Sequence, residues 1–269
     1  MIRAIRYELI RLRTIRSTWW LALLSLLATG SISWAIAVNL RAGPLDVADI
    51  AVLLTGGALY SPLVPPAVLV VPPAVFMAVL GVLALGHEYR YSSIRATLTA
   101  IPRRSRVLAA KTLAVALAAA VVAVLSLAVG WGVGFAVLGE QMLDLPWTEH
   151  SLPRISGGYV AFVVLSALLG LALAGLFRNV PAALVAILVI PLVLEPVLAV
   201  VLGFEALRPV REAGKFLPFT AGRQMLVPSV STPAGYGEPL TPVSGGLTMS
   251  AYVAALLALC WAFFARRDA

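Results

Sequence analysis

Six apolar stretches divide the chain. They run near Thr18–Leu40, Pro66–Gly86, Val107–Leu138, Gly157–Phe177, Pro181–Gly203 and Leu247–Ala265. Each is about the 20 residues that an α-helix needs to cross a bilayer. The third is long enough to cross and still project or tilt. Between the stretches the pattern changes to short amphipathic segments. In residues 1–16, Ile2, Ile5, Leu9 and Leu12 recur at spacings of three and four, while Arg3, Arg6 and Arg13 gather on another side. This predicts a helix lying on the membrane surface. In residues 92–101, Ser92 or Ser93 caps a short helix that Pro102 ends, and Ile94, Leu98 and Ile101 share its face. Such an element suits docking into a groove of another protein.

Composition agrees with a polytopic membrane chain. Of 269 residues, 61% are hydrophobic and 12% charged, and mean hydropathy is +0.98. A soluble domain carries roughly twice that share of charge, so composition rules out a disordered chain and argues strongly against a soluble globular one. The first stretch invites a signal-peptide reading, with arginines before it and Ala35-Ile36-Ala37 matching a cleavage pattern. Its length fits a retained helix better. One cysteine, Cys260, rules out an internal disulfide and a Cys-rich metal site.

The net charge of +8 acquires meaning once the apolar stretches are placed. The N-terminus, the loops after the second and fourth stretches, and the C-terminus together hold 14 basic and 3 acidic residues. The opposite side holds 6 basic and 8 acidic residues. The positive-inside rule then places both termini of the six crossing helices in the cytoplasm. The basic surplus reports orientation and contact with anionic lipid, and nucleic acid is an unnecessary partner. Opposite the termini, Phe204–Gly246 is the longest loop. Its first part, to Val227, predicts short helices at the outer interface or dipping into the bilayer, and its Pro/Ser/Gly-rich remainder reads as irregular.

At three places the chain resembles the permease subunits of ABC-2 type exporters, in the actinobacterial style. The first is the Arg-rich N-terminus ending Arg16-Ser17-Thr18-Trp19-Trp20. The second runs from Gly86-His87-Glu88-Tyr89-Arg90 through Ile94-Arg95-Ala96-Thr97-Leu98 to Pro102-Arg103-Arg104, with Ala110-Lys111 opening the next helix. The third is Glu195-Pro196 followed by Leu217-Pro218-Phe219-Thr220-Ala221. The resemblance implies an all-α transmembrane domain over 1–269 that pairs with a second permease copy or a sibling. It implies a separately encoded ATPase subunit that binds ATP and Mg, while this chain binds no cofactor. Residues 1–16 would be the connecting helix. Residues 92–101 would be the coupling helix, with Ser93, Ile94, Arg95, Thr97, Leu98 and Ile101 seated in the ATPase. The outer loop would carry short helices that close the exit. Export of an amphiphilic or hydrophobic substrate follows from the resemblance alone.

Motifs for chemistry are few. No G-x-x-x-x-G-K-[ST] occurs, so the chain is not expected to hydrolyse ATP by itself. His87-Glu88 begins like a zinc motif, but position 91 is Tyr, and His150 lies on the other side. Glu195 is the ionisable residue deep in an apolar run, roughly 20 Å from the start of its helix at about 1.5 Å per residue. A carboxylate there is functional or paired. Two readings follow: a pin to Arg208 or Arg211 holding the outer loop, or a lining residue that attracts a cationic substrate or a proton. Glu88 is expected to pair with Arg90, Arg95 or the N-terminal arginines and to hold the coupling segment. Pro72 and Pro73, placed inside the second helix, are hinge candidates. Gly130-x-x-x-Gly134 and the Ser166, Gly170, Ala174 stripe allow close helix packing. Rival functions are an ion-coupled secondary transporter using Glu195, or a non-transporting scaffold or sensor subunit.

Overall fold

The computed structural model of the protein describes residues 2–41, 47–60, 68–90, 104–142, 152–226 and 238–266. Six helices are long and apolar enough to cross a membrane. A short helix α1, Ile2–Thr14, precedes them. It meets α2, Arg16–Leu40, at Ile15, whose extended backbone (φ −80°, ψ 120°) breaks the helix. Next come α3, Val47–Thr55, and a two-stranded antiparallel ribbon, β1 (Ala58–Tyr60) and β2 (Val68–Val70), with Leu59 opposite Leu69. The spanning helices α4 (Pro72–Arg90), α5 (Arg104–Leu138) and α6 (Leu152–Phe177) follow. The fifth span is compound: α7 (Val180–Val189), a π-helical turn (Ile190–Leu194) and α8 (Glu195–Leu202). A 3-10 segment, Glu205–Phe216, leads to a six-residue helix α9, Pro218–Arg223, and α10, Pro242–Arg266, ends the described chain. The multi-pass membrane class expected from the apolar runs is therefore present, and the small ribbon departs from all-helix among the described residues.

The second span starts later than its hydropathy implies. Val68–Val70 belong to β2, and α4 begins at Pro72. Pro72 and Pro73 therefore occupy the first two helical positions, where a missing N–H breaks no internal bond. The Val71 carbonyl receives the N–H groups of Ala74 and Val75, at 3.0 and 3.3 Å. The two prolines start the helix and do not hinge it.

Close packing comes from small residues where backbones meet. A Cβ placed on Gly81 of α4 would collide with the Ala167 carbonyl oxygen of α6. One placed on Gly170 of α6 would collide with the Ala78 carbonyl oxygen of α4. These two glycines let α4 and α6 touch main chain to main chain, flanked by buried Ser166 and Ala174. On α2 the buried stripe is Ser25, Thr29, Ser33 and Ala37, one per turn. Thr29 Oγ1 returns its proton to the Ser25 carbonyl, and Ser33 Oγ donates to the Leu53 carbonyl of α3 at 2.6 Å. Gly130 of α5 lies against the Leu54 carbonyl of the same short helix. So α3 is wedged between α2 and α5 at the end of the bundle opposite the N-terminus. Trp19, Trp20, Leu23, Leu27 and Trp34 on the other face of α2 are exposed, as a lipid-facing helix requires.

Gly170→Val should destabilise the bundle by about 1–3 kcal/mol or more, because the added atoms meet fixed backbone. Gly132→Ala, where nothing lies within 4 Å of the new Cβ, should be neutral or slightly stabilising. Thermal unfolding of the purified chain in lipid nanodiscs separates the two.

Candidate functional site

Two nests of buried charge stand out, one at each end of the bundle. The first joins α1, α4 and α5. Glu8 lies at the centre of the buried face of α1, between Ala4 and Leu12, and Tyr7 and Ile10 are exposed. Of the apolar face expected on Ile2, Ile5, Leu9 and Leu12, Leu12 joins the core and Leu9 packs partly buried against it, with Glu8 buried beside them. Lys111 of α5 donates to Glu8 Oε1 at 2.7 Å and to Glu88 Oε1 at 2.6 Å. Arg11 Nη1 donates to the same Glu88 oxygen at 2.5 Å and lies 3.3 Å from Glu8 Oε2. The side chains of Lys111, Glu88 and Glu8 are 1%, 2% and 6% exposed. Two acids and two bases leave the nest formally neutral. Each charge has an opposite neighbour within bonding distance, which offsets the heavy desolvation of all four. Nearby, the guanidinium of Arg178 lies over the Tyr89 ring, 5.6 Å from its centroid.

The expected tie between Glu88 and the N-terminal arginines is thus made by Arg11. Lys111 and Glu8 complete it, and neither was singled out as an ionic partner from sequence. The signal existed: Lys111 stands five residues into the apolar run that begins at Val107, where a lysine requires a partner. Arg95, Ser93, Ile94, Thr97, Leu98 and Ile101 lie outside the described residues, as does the Arg90 side chain.

The second nest surrounds Glu195. Pro218 opens α9 without an N–H, so Phe219 offers the first free amide, and Glu195 Oε1 accepts it at 2.8 Å. Thr220 Oγ1 donates to Glu195 Oε2 at 2.9 Å, and Arg223 Nη1 lies 3.7 Å from that oxygen. A carboxylate at a helix N-terminus also meets the positive end of the helix dipole. Arg223 Nη2 donates to the Pro191 carbonyl at 3.0 Å. Burial lowers the proton affinity of Arg223, and the Glu195 carboxylate offsets only part of that; arginine starts high enough to stay charged. Gln224 finishes the network: its Nε2 reaches the Lys215 and Thr220 carbonyls, and its Oε1 accepts the Leu240 N–H.

This corrects the expected partner of Glu195. Arg211 donates instead to the Leu202 and Gly203 carbonyls, at 3.0 and 2.6 Å, at the C-terminal end of α8, a favourable place for a cation. Arg208 is exposed. The arginine that meets Glu195 comes from α9, which dips into the bundle with Phe219, Thr220, Ala221, Gly222 and Arg223 all buried. A small cavity adjoins this nest. Its walls are Val71, Ala74, Phe162, Ile187 and Phe219, among others, and Arg223 is the charged group on them. Among the described residues no group of three or more His, Cys, Asp and Glu side chains could hold a metal ion.

No protein-family model matches this sequence, and no curated protein matches it. Lys111→Met removes a cation from between two carboxylates and should destabilise the chain by about 3–5 kcal/mol. Adding Glu88→Gln should recover part of that loss, as measured by unfolding in bicelles.

Proposed function

We propose that the chain is the permease subunit of an ATP-driven exporter of the ABC-2 type, moving an amphiphilic or hydrophobic substrate with a separately encoded ATPase. The observation that supports this most is the neutral nest of Glu8, Arg11, Glu88 and Lys111. It ties the N-terminal helix α1 to the ends of α4 and α5, the two helices that bracket residues 91–103. A partner that pushes on that bracket would move α1, α4 and α5 as one body. Such rigid transfer is what coupling between an ATPase and a membrane pathway demands. The basic surplus on the segments at this end supports a cytoplasmic placement. Residues 92–101, with Arg95 and Leu98, would be the contact element.

The engagement of Glu195 weighs against the ion-coupled rival. Its two oxygens already take an N–H, a hydroxyl and a guanidinium neighbour, which is the pattern of an anchor.

Pull-down of the tagged chain from its native membrane in mild detergent tests the proposal. A stoichiometric P-loop ATPase should be recovered and then lost on Arg95→Glu with Leu98→Asp. Recovery of an intact, folded chain with no ATPase would contradict the exporter reading.

A further inference from the structure

The fifth spanning helix changes register where Glu195 sits. Ile190–Leu194 forms one π-helical turn, and the Glu195 N–H reaches back to the Ile190 carbonyl instead of to Pro191. The next residue, Pro196, has no N–H. In the π register the Pro191 carbonyl is therefore left without a main-chain donor. It is met from outside the helix, by Arg223 Nη2 at 3.0 Å. In an α register the Glu195 N–H would take the Pro191 carbonyl. The carbonyl opened by Pro196 would then be that of Leu192, about 100° further round the helix axis. The Glu195 carboxylate would swing by the same angle, away from the N–H of Phe219 and the hydroxyl of Thr220.

We infer that this turn is a register switch whose π form is selected by the docking of α9. Arg223 binds a carbonyl that is open in the π register and closed in the α register. Glu195, aimed by the same turn, holds the other end of α9. The two contacts form and break together, so release of α9 and return of the turn to α-helix are one event. Because α9 supplies Phe219 and Arg223 to the wall of the adjoining cavity, that event also opens the cavity on this side. π-turns inside α-helices recur at functional sites for this kind of reason, and a packed element with two discrete arrangements is what a switch requires.

Pro196→Ala restores an N–H without changing a residue of α9: in the π register that N–H competes with Arg223 for the Pro191 carbonyl, and in the α register it closes the Leu192 carbonyl, so both pairings favour release of α9. The test uses the full chain in lipid nanodiscs, with Cys260→Ser as background and a membrane-impermeant maleimide as probe. Met225→Cys reports on the turn that follows α9, and Val115→Cys reports on the buried core of α5; both native side chains are buried. Pro196→Ala should speed labelling at Met225→Cys by about tenfold or more, as local opening of one element does, and leave Val115→Cys unchanged. Unchanged labelling at both positions would overturn the switch. A rise at both positions would overturn it too, because it would mean that the whole bundle had loosened.

Discussion

A carboxylate cannot be placed among hydrocarbon without a counter-charge or a set of donors, and three are buried among the described residues. Glu8 and Glu88 share Lys111 and Arg11; Glu195 takes Phe219, Thr220 and Arg223. Each set of partners comes from elements far apart in sequence. The electrostatic need is therefore also a topological tie. One nest holds α1 to the bundle, and the other holds α9. Without them both short helices would have only modest apolar faces to keep them in place.

Between the two nests the bundle depends on close backbone approach. Lipid tails are as apolar as leucine, so helices associate through contact and hydrogen bonds, with little hydrophobic drive between them. Gly81 and Gly170 bring α4 and α6 together, and Gly130 admits α3. Ser33 of α2 adds a hydrogen bond to the α3 backbone. At the fifth span the same economy of partners appears in the main chain. The missing N–H of Pro196 and a π-turn open the Pro191 carbonyl, and an arginine from a neighbouring helix closes it.

The six spans were legible because bilayer thickness imposes a length that hydropathy reports directly. The start of α4 was not, because apolar residues serve a strand as well as a helix, and Val68–Val70 went to the ribbon. The special status of Glu195 was readable from its surroundings in sequence, but its partner was not. Arg208 and Arg211 are nearer along the chain, yet Arg223 arrives because α9 folds back into the bundle. Likewise Glu88 was visible as an ionic residue, whereas Glu8 and Lys111 became its neighbours only through the packing of α1 on α5. The buried α3 carried no mark beyond a short apolar run, Ile50–Leu54, too short to span. Local pattern reveals which side chains need partners, and tertiary packing decides who they are.

Buried ion pairs, more than apolar contact, fasten the N-terminal helix to the rest of the chain. Hydrogen–deuterium exchange in nanodiscs, comparing the native chain with Glu88→Gln, tests it most directly. The amides of α1 should lose protection in the variant while those of α9 keep theirs. Equal protection of α1 in both proteins would contradict the claim.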